Sequence, residues 1–241
     1  MKQSLFMSLL VVLAFIVAAI VFFLLPQFIR DGGYLVIALI ALTIMVFTFI
    51  VERILALGKA QGRGSLTTFL KNVQMQINTG NIDAAIETCD KQRGSCANVL
   101  RTGLDRYRLT HAAGEAQNEK EAMEEVQHAI QEAMMLEVPL LEKNLVAMST
   151  IASISTMVGL LGTVVGMIRA FQALAHAGAP DAVQLSIGIS EALINTAGGL
   201  IAAIAGIVAY NFFTTKVDNF TYMIDEASYS IVQSLSNRKK K

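Results

Sequence analysis

Charge is what this chain has least of. Only 16% of its 241 residues are Asp, Glu, Lys or Arg, against about 25% in an average soluble domain. The shortage is local rather than uniform. Residues 3–29, 32–51 and 144–168 carry no charged side chain, and residues 182–215 carry only Glu191. A soluble globular fold is therefore a poor expectation, because about 20 apolar residues suffice for a helix to cross the hydrocarbon, and all four stretches are that long. Net charge is also missing, with 19 basic and 19 acidic residues, which removes the basic footprint that nucleic-acid binding requires. Cysteine is scarce. Cys89 and Cys96 have a spacing that fits no zinc motif, and no histidine cluster accompanies them. They are expected to be reduced, ordinary thiols, with no metal and no cofactor. No two-residue alternation, internal repeat, Gly-rich phosphate loop or nucleophile–base set is visible, so an enzyme is not expected.

What is present is helical. Transmembrane helices are expected near 5–25, 34–54, 146–171 and 187–213. The run from Leu5 to Leu25 exceeds the usual secretory apolar region of about 7–15 residues, and no small-x-small cleavage site follows it. It is expected to be a retained helix. Arg53, Lys59, Arg63, Lys143, Lys216 and the tail Arg238-Lys239-Lys240-Lys241 belong on the cytoplasmic side by the positive-inside rule. Arg30, Asp31 and the link from His176 to Asp181 then fall outside. An even number of spans puts both termini in the cytoplasm. The chain divides into an extra N-terminal membrane helix (1–30), a second membrane helix (31–58), a cytoplasmic helical domain (59–143), two channel-forming membrane helices (144–215), and a cytoplasmic C-terminal helix with a basic tail (216–241).

Residues 52–143 hold 24 of the 38 charged side chains. Their apolar members recur at helical spacing: Leu66, Phe69, Leu70, Val73 and Ile77; then Ile82, Ala85, Ile86 and Cys89; then Val99, Leu100, Gly103, Leu104 and Tyr107. Thr79-Gly80-Asn81 reads as a helix stop followed by an N-cap, Arg93-Gly94 as a second stop, and Gly62-Arg63-Gly64 as a flexible junction. Glu115 to Glu142 is a charged helix with Met123, Val126, Ile130 and Ala133 on one side. It is expected to run into the third membrane helix, with a kink or a helix start near Pro139. After the fourth membrane helix, Val217, Phe220, Ile224, Ala227, Ile231 and Leu235 form an amphipathic seam. Two long helices, near 115–172 and 183–237, are thus expected to be partly in lipid and partly in the cytoplasm. The seam fits packing within one subunit or a bundle of several.

The chemistry concentrates in two motifs: Gly159-Leu-Leu-Gly162-Thr163-Val-Val-Gly166 and Glu191-Ala-Leu-Ile-Asn195-Thr196-Ala-Gly198-Gly199. Lipid supplies no hydrophobic drive for helix association, so small residues that let backbones approach carry the packing. Gly159, Gly162, Gly166, Gly198 and Gly199 are the expected packing residues. Thr163 lies near the middle of its apolar stretch, and Thr196 about four residues from the middle of its own, roughly 6 Å by helical rise. Either threonine alone would be expected to bond its own helix. Two at similar depth suggest a polar pore wall. An ionisable residue within a membrane segment marks function by default, and Glu191 is the one such carboxylate, about nine residues or roughly 14 Å from its helix centre. Packing and interfacial pairing are the plainer roles for these residues. No carboxylate or histidine lies near the midplane of any span. Threonine does not titrate at physiological pH, so a proton carrier is expected from a partner helix bearing an Asp or Glu.

At these residues the chain resembles the MotA/TolQ/ExbB proton-channel family, and is most similar to its ExbB branch. The similarity runs from about Val51 to Gln233. It includes Val51-Glu-Arg-Ile-Leu-Ala-Leu, Gly159 to Met167, Gly188-Ile-Ser-Glu-Ala-Leu-Ile-Asn-Thr-Ala197, and Tyr210-Asn211. The resemblance implies an all-α membrane protein that assembles as a homopentameric channel around two membrane helices of an ExbD-, TolR- or MotB-like single-span partner. The partner's membrane Asp carries the proton. Thr163 and Thr196 would line the pore beside it, with Glu191 the functional carboxylate near the outer end. In the ExbB branch, proton flow in the bacterial inner membrane drives a TonB-like transducer for outer-membrane uptake. A TolQ-type subunit, a gliding- or flagellar-type stator subunit and a non-conducting scaffold are the alternatives. Two features depart from the pattern. The last helix reads Ala203-Ile204-Ala205-Gly206 where many relatives carry a proline, and helix 5–25 stands ahead of the usual three.

Overall fold

A computed structural model describes residues 2–112, 119–176 and 182–238 of the chain. The expected helix start at Glu115, most of the link from His176 to Asp181, and Lys239 to Lys241 lie outside the described residues. Among the described residues the helices are α1 (Lys2–Leu24), α2 (Gln27–Arg30), α3 (Leu35–Gln61), α4 (Leu66–Thr79), α5 (Ile82–Gln92), α6 (Ser95–Ala112), α7 (Glu119–Glu142), α8 (Leu145–His176) and α9 (Ala182–Arg238). Three helical stretches, Leu35–Thr79, Lys120–Ala175 and Ala182–Ser236, each hold an 18-residue window apolar enough to cross a membrane. The apolar stretch of α1, Ser8–Leu24, is shorter than such a window. The chain forms two compact units, 1–52 with 144–213, and 53–143 with 214–241.

The first unit is built from close-packed small residues. Ala14 and Ala18 are buried on α1, Ala41 on α3, Ala152 and Ala170 on α8, and Ala192, Ala202 and Ala203 on α9. Large side chains such as Leu160, Val164, Phe171, Leu193, Ile201 and Val208 point outward. Larger side chains such as Leu39, Val46, Phe49 and Met148 are buried beside the alanines, and an outer surface of large apolar groups is expected of helices that face lipid. α9 continues through Ala203 to Gly206 without a break, and a Cβ on Gly206 would stand 2.8 Å from Ala152 Cβ. The Ala203–Gly206 stretch is thus a close helix–helix contact.

The second unit gathers the charged middle of the chain. Leu66, Phe69, Val73 and Ile77 bury one face of α4, which ends at Gly80 with φ 88°. Asn81 then caps α5, its side chain accepting from the Ala84 N–H at 3.2 Å. On α6 and α7, Val99, Leu100, Leu104, Tyr107, Val126 and Ile130 are buried. α6 and α7 cross closely at Gly103, where a Cβ would lie 2.6 Å from Ile130. All six residues of the C-terminal seam, Val217, Phe220, Ile224, Ala227, Ile231 and Leu235, are buried. Gln74 of α4 donates to Ser230 at 2.9 Å. The seam is therefore satisfied within the chain's own second unit.

Two local expectations are corrected. Gly62-Arg63-Gly64 is not a loose junction. Arg63 N–H donates to Gln92 O at 2.7 Å, and Gly62, at φ 78°, lies so close to Arg93 that a Cβ would overlap its carbonyl oxygen. Only glycine permits that backbone approach. Pro139 does not start the membrane helix. It sits inside α7, exposed, and the helical run breaks instead at Lys143–Asn144, where Asn144 has φ 64°. Arg53 explains how the last turn of α7 holds: its side chain is 1% exposed and Nη1 donates to Leu141 O at 2.9 Å. A helix leaves its last four carbonyls unpaired, and a cation there also suits the helix dipole.

Candidate functional site

The candidate residues meet in the first unit, where α8 lies against α9. The seam between them is backbone on backbone. A Cβ on Gly159 would stand 3.1 Å from both Asn195 O and Gly199 Cα. On Gly166 it would stand 2.7 Å from Gly188 O, and on Gly199 2.7 Å from Ser155 O. Gly198 faces elsewhere, toward Leu39 of α3 at 3.3 Å.

Gly162 has a more specific neighbour. A Cβ there would be 2.2 Å from Asn195 Cβ and 2.6 Å from Asn195 Cγ. The missing side chain at 162 is the space in which the Asn195 amide sits. Asn195 is fully buried. Its Nδ2 donates to Glu191 O at 2.9 Å and to Gly32 O at 2.7 Å. The second bond ties α9 to the turn between α2 and α3.

Glu191, one helical turn before Asn195, meets the same turn. A Cβ on Gly33, whose φ is 73°, would be 2.6 Å from Glu191 Oε1. That oxygen accepts from Arg169 Nη1 of α8 at 2.5 Å. The Glu191 side chain is 7% exposed and that of Arg169 55%. A buried carboxylate is costly unless it is paired and hydrogen-bonded, and this one has a guanidinium partner. Glycines at 33 and 162, on two different elements, thus make room for two polar side chains on one face of α9.

The two threonines behave differently. Thr163 is half-buried and its Oγ1 donates to Leu160 O at 2.6 Å, the local bond expected of a hydroxyl in a helix. Thr196 Oγ1 is buried and has no hydrogen-bond partner among the described residues. Asn195 Oδ1 shares that condition. Buried polar atoms are nearly always paired, so each exception requires a reason. Cys89 and Cys96 lie apart from this site, in α5 and α6, free and buried. Among the described residues no group of three His, Cys, Asp or Glu side chains could hold a metal.

Sequence reasoning missed Arg169 and the Gly32–Gly33 turn as parts of the site. The Arg169 pairing was available: it stands at the end of one expected span as Glu191 stands at the start of the next, so antiparallel helices bring opposite charges to one level. The Gly32 carbonyl carried no such signal, because a backbone acceptor has no residue type.

The comparisons with known proteins bear on this helix pair. Over 86 residues the chain is 43% identical to the Tol-Pal system protein TolQ of Haemophilus influenzae, covering 36% of this chain and 38% of that one. It is 42% identical over 94 residues to the TolQ of Pseudomonas aeruginosa, covering 39% of this chain and 41% of the relative. It is 35% identical over 89 residues to the biopolymer transport protein ExbB of Pseudomonas putida, covering 37% and 27%. The matched stretches span less than half of each of these relatives. The family model described as the MotA/TolQ/ExbB proton channel family matches residues 91–226. That is more than half of the sequence and contains α8 and most of α9, and the chain belongs to the MotA/TolQ/ExbB proton channel family.

Proposed function

We propose that this chain is the channel subunit of a proton-driven motor of the ExbB type in the bacterial inner membrane. It works as a homopentamer around a dimer of an ExbD-like single-span partner, and the machine drives a TonB-like transducer. The observation that carries this is the coincidence of the family match with the polar seam: the helix pair within residues 91–226 buries Glu191, Asn195 and the Thr196 hydroxyl oxygen among apolar helices. Thr163 and Thr196 are assigned to the pore wall and Glu191 to its outer end, and the glycines at 159, 162, 166, 198 and 199 hold the wall thin. Thr196 Oγ1 has no bond to its own helix, and a small side-chain rotation in the assembled pore would offer it to a partner's carboxylate or to water. The chain's own spans bring no titratable carboxylate to mid-depth, so the proton carrier is the partner's acid. One charge crossing 100 mV releases about 2.3 kcal/mol, enough in small multiples to move one helix against another.

α1 is assigned as a fourth span. Its 23 residues reach about 34 Å at helical rise, against a hydrocarbon core of about 30 Å. A TolQ-type role rests on a separate observation, the 42–43% identity to two TolQ proteins against 34–40% to ExbB proteins. Deleting the gene from its host separates the two: an ExbB-type subunit is required for iron-complex uptake, and a TolQ-type subunit is not.

The channel itself is tested in liposomes containing the chain with its partner. Proton flux is expected from the complex, and Thr163→Val or Thr196→Val is expected to suppress it while assembly stays intact. A complex that assembles and passes no protons would leave a scaffold as the function.

A further inference from the structure

Three segments of the first unit converge on one carboxylate. α9 provides Glu191 and, one turn on, Asn195; residues at this spacing share a helix face. α8 provides Arg169, whose Nη1 donates to Glu191 Oε1 at 2.5 Å. The α2–α3 turn provides Gly33, packed against the same oxygen, and the Gly32 carbonyl, held by Asn195. The backbones of α8 and α9 approach closely at Gly159 with Asn195 and Gly199 and at Gly166 with Gly188 and Ala192. Arg169 is different. More than half of its side chain is exposed, 55% against 7% for Glu191, so the guanidinium can swing away by its own rotamers while both helices stay in place.

We infer, on the proton-channel function proposed above, that Arg169 is a positioning residue for Glu191. It fixes the carboxylate as an ion pair between α8, α9 and the Gly32–Gly33 turn, and Glu191 enters the proton path only when that pair opens. A carboxylate oxygen committed to a guanidinium and pressed against backbone is not available to take a proton from a passing group. Opening frees it by a side-chain movement, and Asn195 keeps the turn docked meanwhile.

The test uses the chain with its partner in liposomes for proton flux, and the purified chain in detergent for thermal melting. Variants are R169K, R169Q, E191Q and R169Q/E191Q. R169Q, which leaves the pair permanently open, is expected to raise flux severalfold at unchanged assembly, and R169K, which keeps a cation beside the carboxylate, to stay near the wild type. In melting, R169Q/E191Q is expected to be no less stable than R169Q, because removing both charges relieves the stranded carboxylate. Flux from an assembled R169Q complex at or below the wild-type level would overturn the proposal, as would melting losses that simply add. If the wild-type complex passes no protons, the channel function and the gating step both fall. Non-additive melting in that case still supports Arg169 as the residue that positions Glu191.

Discussion

A thiol that cannot ionise is chemically quiet, and both cysteines of this chain are of that kind. Burial pushes the Cys89 thiol up to about 12, with Cys96, Asp90 and Asp105 adding to the shift and Arg101 opposing it. Burial alone takes Cys96 to about 12. The thiolate is the nucleophile, so N-ethylmaleimide at pH 8 should label the folded chain slowly and the denatured chain fast. The same shift links stability to pH. Unfolded thiols lose their protons around pH 9 and the folded ones only near 12, so the unfolded state binds fewer protons between those values. The two thiols' contribution is complete below pH 9 and is lost as pH rises toward 12. Melting curves from pH 8 to 11 should show a decline that is reduced when both cysteines are replaced by alanine. An identical decline in that variant would remove the effect. At this scale the sequence spoke through residue types. Spacing and the absence of histidine partners were enough to give plain thiols, whereas Arg53 could be read only as a topological charge. Its bond to Leu141 O depends on where α7 ends, which no single residue announces.

Helix ends were the least legible elements, and α7 shows why. Proline costs a helix one N–H donor and crowds the carbonyl four residues earlier, so Pro139 looks like a boundary. In the structure it is exposed and near the end of α7, where the missing bond falls on Met135, itself exposed. The boundary is set instead by Asn144, which adopts φ 64°. Asparagine tolerates the left-handed conformation better than any branched residue. Asn144→Gly should therefore leave the melting temperature unchanged or slightly raised, and Asn144→Val should destabilise by about 1–2 kcal/mol. Equal melting of the two variants would show that Asn144 is held by its side chain rather than by its backbone. Helix faces were far more legible than helix ends. The stripes of α4, α5 and α6 and the seam of α9 are all buried largely as their spacing predicts, because a face is a statement repeated every three or four residues and an end is made once. The same spacing was silent on whether the α9 seam would pack within the chain or against another copy. Periodicity fixes which side is buried and says nothing about what covers it.

At the scale of the whole molecule the open quantity is a parity. The family match begins at residue 91, so α1 lies outside the matched residues. Whether α1 crosses the membrane decides on which side the N-terminal end lies. In the proposed topology the positive-inside rule puts the basic residues that follow α3 and α9 in the cytoplasm, and α3, α8 and α9 are three alternating crossings. With those three alone, the segment before α3 begins outside. If α1 also spans, that segment is a short external link, and Lys2 returns to the cytoplasm. α1 has the length to span, and its exposed face is uniformly apolar from Leu9 to Leu24, while its buried face is the small-residue row Ala14 and Ala18, the pattern of a helix packed on others in lipid. Paired reporters, one active only in the periplasm and one only in the cytoplasm, can be fused ahead of Lys2 and after Lys241. Both ends are expected to report the cytoplasm. A cytoplasmic C-terminal end with a periplasmic N-terminal end would make the crossings odd in number. α1 would then be a surface-lying or interior helix, and the Gly32–Gly33 turn that cradles Glu191 would be tethered to something other than a transmembrane hairpin.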